Sequence, residues 1–161
     1  MCTILLNPKL RSRPSGDARM EETMSETEIK RTVLLVDDDD DFLLQHRLHL
    51  ETAGFNVLVA HGRKEAEVIL ARQRPDLAVI DVMMESPDAG FTLCHHIRKQ
   101  DASIPVIMVT SANSETGLDF TLSTDEQRSW IKADALLSKP IRFEQLQREI
   151  DRVFSRPAAK V

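Results

Sequence analysis

Residues 33–41 read VLLVDDDDD, four consecutive branched apolar residues that run straight into five aspartates. A strand with one face in water alternates apolar and polar positions, so a run apolar at every position reads as a strand buried on both faces, as in a parallel sheet covered by helices. The acid cluster then sits at the carboxyl end of that strand, the edge where ligands bind in open α/β sheets. Two adjacent carboxylates held there by a rigid strand repel each other unless a cation or a proton lies between them. Capping the helix that follows would occupy one or two aspartates. Five exceed that role, and a hard divalent metal is the economical inference.

Two sharper motifs fail at this stretch. Asp37, Asp39 and Asp41 match the first ligands of an EF-hand calcium loop, but Phe42 stands where that loop needs glycine and Leu48 where it needs a bidentate glutamate. Asp37-x-Asp39 also opens like a haloacid-dehalogenase-type phosphotransferase, yet Asp41 takes the place of the Thr or Val those enzymes carry.

The chain has 161 residues, 42% hydrophobic and 29% charged, enough for one domain of ordinary size with something left over. A formal net charge of −5, with no Lys or Arg cluster in the folded part, argues against nucleic acid as a partner. The only two cysteines, Cys2 and Cys94, offer neither a disulfide framework nor zinc-ligand spacing. No apolar run approaches the roughly 20 residues that cross a bilayer. The apolar ILL at 4–6 precedes Lys9, Arg11 and Arg13, the reverse of a secretory signal. A soluble, cytoplasmic protein is expected, without membrane insertion.

Residues 1–30 are rich in Arg, Ser, Pro, Glu and Thr without a sustained period, and read as a disordered tail. Met24 opens a short polar lead into the first strand, so translation from Met24 or Met20 is a working hypothesis that the intact mass of the native protein tests; a mass matching Met1 sinks it. After the acid cluster, Leu44 with Leu48 and Leu43 with Leu50 have the spacing of an amphipathic helix, ended by Ala53-Gly54. FNVLVA at 55–60 is a second strand, and Ala66, Ile69 and Leu70 mark a second helix that must stop before Pro75. LAVID at 77–81 is a third strand, again nearly all apolar and again ending in an aspartate. A loop over 82–90, closed by Gly90, leads to a third helix through Leu93 and Ile97; IPVIMVT at 104–110 is a fourth buried strand. Thr124 can cap a short helix through Trp130, and ALLSKP at 135–140 is a fifth strand with Pro140 just outside it. Phe143, Leu146, Ile150 and Val153 recur at helical spacing, and 155–161 reads as a frayed tail. Five strands alternating with helices make a doubly wound α/β domain over 31–154, its strands parallel because helical crossovers require it.

Parallel strands place Asp37-Asp38, Asp81, Thr110 and Lys139 on one sheet edge. An acid pair, a lone acid, a hydroxyl and a cation are what phosphoryl transfer to a carboxylate would use. Each residue alone has a bland reading, as helix cap, strand-end hydroxyl or solvated charge; together on one edge they do not. With VDD, a strand-terminal Asp, VTSA and KP at these intervals, residues 32–154 resemble the receiver domain of two-component response regulators. The resemblance implies the flavodoxin-like strand order 2-1-3-4-5, with helices on both faces. It implies Asp81 as phosphoacceptor from a sensor histidine kinase or phosphotransfer protein. Mg²⁺ would be bound by Asp38, by Asp37 directly or through water, by Asp81 and by the backbone carbonyl of Met83. Thr110 and Lys139 would contact phosphoryl oxygens. The module would signal through an unknown output protein, by way of residues 111–154, and would not be an enzyme beyond assisting its own phosphorylation and dephosphorylation. A receiver-like scaffold that is never phosphorylated, and a Mg²⁺-dependent phosphohydrolase using Asp81 or Asp37, stay open as alternatives.

Departures from the family pattern accompany the matches. The usual Met-Pro-x-x-Asp-Gly is here Met84-Glu85-Ser86-Pro87-Asp88-Ala89-Gly90, with Glu for Pro and one residue more, which implies a reshaped and more negative rim. Leu136 takes the place of the switch aromatic, and the segment from Thr110 to Lys139 is longer than usual, which suggests altered partner choice. Cys94, His95 and His96 are adjacent and cannot share a helix face, which argues against a metal site. Trp130 and the pair Met83 and Met84 read as packing residues. Met83 and Ala112, two beyond the acceptor and two beyond Thr110, lack strong hydrogen-bonding groups to position an attacking water. A phosphorylated Asp81 is therefore expected to be long-lived; decay of labelled phosphoprotein measures it, and loss within seconds would defeat the expectation.

Overall fold

The structure, a computed structural model, describes residues 29–111 and 132–157. Five parallel strands, β1 (Thr32–Val36), β2 (Asn56–Ala60), β3 (Leu77–Asp81), β4 (Val106–Thr110) and β5 (Ala135–Ser138), form one sheet in the order β2-β1-β3-β4-β5. Four helices are described: α1 (Asp40–Thr52), α2 (Arg63–Arg72), α3 (Ala89–Gln100) and α4 (Phe143–Ser155). The helix expected near Thr124 to Trp130 lies outside the described residues. The expected flavodoxin-like order is thus observed, with helices on both faces.

Strand side chains alternate between two cores. Leu34, Val36, Ala78, Ile80, Val106 and Met108 pack with Ala66 and Leu70 of α2 and with Leu93, Cys94 and Ile97 of α3. Val33, Leu35, Leu77, Val79, Ile107 and Val109 face the other way, against Leu43 and Leu50 of α1 and Leu146, Ile150 and Val153 of α4. A strand between two helical layers has no wet face, which is why β1, β3 and β4 are apolar at nearly every position. Burial of each such branched side chain contributes roughly 1.5–3 kcal/mol.

The helix ends follow local chemistry. Asp39 caps α1, its carboxylate accepting from the backbone N–H groups of Asp41 at 3.0 Å and Phe42 at 3.3 Å. Gly54, at φ +94°, closes the turn after α1 in a conformation that favours glycine. Gly90 lies inside the first turn of α3 rather than at the end of a loop. A Cβ there would sit 2.2 Å from the Asp81 carbonyl oxygen and 2.6 Å from the Val82 Cα, so α3 can approach the end of β3 only through a residue without a side chain.

α1 departs from its sequence pattern. Leu44 and Leu48, at the spacing of a buried face, are 59% and 55% exposed, and the helix packs instead through Leu43, His46 and Leu50. Hydropathy hid this face because its middle member is a histidine. His46 is 2% exposed; its Nδ1 lies 3.0 Å from the Phe42 carbonyl oxygen, which can only accept, so Nδ1 carries the proton and the buried Nε2 has no partner. Burial holds the His46 pKa below its ordinary 6.5, aided by His49 and opposed by the Phe42 carbonyl. The neutral ring is the form the fold accepts, so stability is held above pH 6.5 and falls as protons are forced on below it. His46→Leu removes both the orphaned nitrogen and the titration. It should stabilise by about 1 kcal/mol at neutral pH, and its advantage over the parent should widen as pH falls; urea unfolding at pH 7.5 and 5.5 checks this, and a constant gap would count against it.

Candidate functional site

The parallel register assembles the site. Val36 lies beside Ile80, so Asp37, one residue on, falls beside Asp81; Asp81 pairs with Val109, and Thr110 with Ser138, one residue before Lys139. The Lys139 N–H donates to the Thr110 carbonyl at 2.7 Å, continuing the ladder past the end of β5. Asp37, Asp81 and Thr110 are buried, while Asp38 is exposed at the rim. All four expected strand ends therefore converge on one edge.

Like charge dominates the interior. Ligand oxygens of Asp37, Asp38 and Asp81 lie within 4.8 Å of one another. The Lys139 ammonium donates to Asp37 Oδ2 at 2.7 Å and stands 3.8 Å from Asp81 Oδ1. Asp37 Oδ1 accepts from the Asp39 N–H at 2.9 Å. Asp81 is less well served: its Oδ1 is buried and accepts no hydrogen bond. Burial and then the neighbouring Asp37 charge push its pKa up to about 6, against the pull of Lys139. Burial also raises Asp37, with the Lys139 and Asp39 hydrogen bonds opposing it. Three carboxylates with converging oxygens, one of them an orphaned buried acceptor, fit a hard divalent cation.

Among the other residues singled out, Met83 departs from its expected surroundings. Met84 packs on the α2/α3 core, but Met83 is 45% exposed and does not act as a packing residue. The Met83 backbone bonds to the Asp81 carboxylate, so the loop after β3 is tied to that acid. Leu136 packs against the same core. Cys94 is buried, whereas His95 and His96 are exposed, in keeping with three residues that share no face. Trp130 and Ala112 lie outside the described residues, as does most of 111–133.

Glu85, read from sequence as negative rim, has a more specific place. The α2 N-cap is Gly62, which has no side chain to cap with, and Glu85 supplies the missing acceptor: its oxygens lie 3.2 and 3.4 Å from the Arg63 N–H. Sequence reasoning had no signal for this, because cap and helix are 22 residues apart. A second missed contact places the Lys139 ammonium 4.5 Å from the Phe42 ring centroid.

Known proteins resemble the chain in the same terms. The family model for the response regulator receiver domain matches residues 33–151, and the chain belongs to that family. It is 35% identical over 114 residues to the heme response regulator HssR of Staphylococcus aureus, covering 70% of this chain and 46% of that protein. It is 32% identical over 125 residues to the transcriptional regulatory protein AfsQ1 of Streptomyces coelicolor, covering 78% of this chain and 52% of that one. The chain thus spans about half the length of these curated relatives. Among solved structures, the receiver domain of Francisella response regulator 1452 superposes with a TM-score of 0.66 at 29% identity, covering 79% of this chain and 98% of that domain. No helix among the described residues is long and apolar enough to cross a membrane.

The strained acid has a measurable consequence. A carboxyl raised from 3.8 to about 6 favours the protonated form in the fold, so its contribution is favourable at low pH and is lost as pH rises through 6. In chelator at pH 7.5, Asp81→Asn should stabilise the protein, on the order of 2 kcal/mol, and the gain should vanish near pH 4. Thermal or urea unfolding reads it; a destabilised variant at pH 7.5 would contradict the charge assignment.

Proposed function

We propose that this protein is a phosphorylation switch whose acceptor is Asp81. The observation that carries the reading is the buried, unpartnered Oδ1 of Asp81, set among Asp37, Asp38 and the Lys139 ammonium. Above pH 6 the Asp81 carboxylate is ionised and able to attack. Its oxygen forms a bond to the phosphorus of a phosphohistidine as the N–P bond breaks, and the imidazole leaves with the donor, a sensor histidine kinase or phosphotransfer protein. Lys139 and Thr110 take the transferred oxygens, and burial keeps water from the acyl phosphate. Asp38, Asp37, Asp81 and the Met83 carbonyl would hold Mg²⁺, which when bound offsets the charge that the phosphoryl group brings to the acid cluster.

The added charge biases a two-state domain whose changed surface binds an output protein. We place that surface within residues 111–154 and the receiver unit over 31–154, with tails on either side. The protein acts in the cytoplasm and catalyses nothing beyond its own phosphorylation and dephosphorylation. Incubation with acetyl phosphate and Mg²⁺ tests the core of this reading. Stoichiometric labelling, abolished by Asp81→Asn and by chelator and strongly slowed by Asp38→Ala, is the expected result. Turnover of added phosphoesters would instead indicate a hydrolase, and no labelling a scaffold.

A further inference from the structure

Lys139 is a compact, strongly hydrated charge on a flexible four-carbon stem, and nothing in its position one residue past β5 fixes where the ammonium goes. Among the described residues, its one hydrogen bond to a carboxylate runs to Asp37 at 2.7 Å, with Asp81 Oδ1 further off at 3.8 Å. A single contact leaves a flexible stem free to pivot. A site that needs the ammonium between the two acids therefore benefits from a second attraction that holds it in place.

The structure supplies one from α1. The Phe42 ring lies with its centroid 4.5 Å from the Lys139 Nζ, within reach of a cation–π interaction. Its backbone is held by the Asp39 cap, whose carboxylate accepts the Phe42 N–H at 3.3 Å. The ring stacks on that of His46, with centroids 4.0 Å apart and planes inclined by 25°. His46 is itself locked, buried against the core and donating from Nδ1 to the Phe42 carbonyl at 3.0 Å. A buried histidine with an orphaned Nε2 is a costly way to fill a core position. It becomes intelligible when the ring is read as the floor beneath Phe42.

We propose that Phe42, backed by His46, is a positioning residue for Lys139, its ring forming the seat that keeps the ammonium between Asp37 and Asp81. This rests on the reading of Lys139 as a phosphoryl contact. It also gives the third aspartate of the cluster a function: Asp39 fixes the helix turn from which the seat projects.

The test is a double-mutant cycle with Phe42→Leu and Lys139→Met, and with Phe42→Tyr to restore the ring. In chelator, urea unfolding should show that Phe42→Leu lowers the folding equilibrium constant roughly three- to tenfold more when Lys139 is present than when it is methionine. Acetyl phosphate labelling with Mg²⁺ should slow by a similar factor in Phe42→Leu, recover in Phe42→Tyr, and show no further loss in Phe42→Leu combined with Lys139→Met. Phe42→Met, whose unbranched side chain adapts better to the space a ring leaves, takes the place of the leucine variant if that one does not fold. Equal losses in both backgrounds, or unchanged labelling and stability in Phe42→Leu, would overturn the proposal. Absence of labelling on Asp81 in the parent would fail the switch reading instead, and the unfolding cycle would still decide the seat.

Discussion

The structure turns on one electrostatic conflict: Asp37 and Asp81 are buried side by side at the ends of neighbouring strands, and both lose free energy by being charged there. Only one cation of the chain, Lys139, reaches them among the described residues, and it sits closer to Asp37 than to Asp81. The asymmetry sets the character of the two acids. Asp37 is hydrogen-bonded through both oxygens, whereas Asp81 keeps one oxygen without a donor. A buried carboxylate left short of partners is disposed to accept an electrophile or a cation.

The sheet makes that conflict sustainable. Each strand is anchored on both faces, by α2 and α3 on one side and α1 and α4 on the other, so the strand ends cannot separate to relieve repulsion. Rigid strands convert a local cost into a stored disposition at the edge. The loop after β3 is fastened as well, by the Met83 backbone on Asp81 and by Glu85 on the amino end of α2. The surroundings of Asp81 are thus coupled to a neighbouring helix and not merely to their own strand.

Much of this was legible in the sequence, for a physical reason. Strands buried on both faces are apolar throughout, so β1, β3 and β4 announce themselves, and polar residues at their ends stand out as Asp37, Asp81 and Thr110. What stayed hidden depends on three-dimensional proximity or on residues in unusual roles. Leu44 and Leu48 carry the right period and are exposed, while His46 fills the core beside them, because periodicity cannot say which of two neighbouring stripes faces the sheet. The Glu85 cap and the Phe42 contact with Lys139 join segments distant in sequence and leave no local pattern. Hydropathy reads histidine as polar, yet His46 is buried, and it reads Phe42 as core without showing that its ring also meets a cation.

Gly90 bears on how this site tolerates change. The backbone of α3 passes so near the Asp81 carbonyl that not even a methyl group fits between them. The loop after β3 is constrained as well: Val82 and Ala89 are buried, and Glu85 is bound to the amino end of α2. Gly90 adds a constraint of another kind, a position where the absence of a side chain is itself the contact. Any larger residue there would push α3 away from the end of β3 and so move the backbone that carries Asp81.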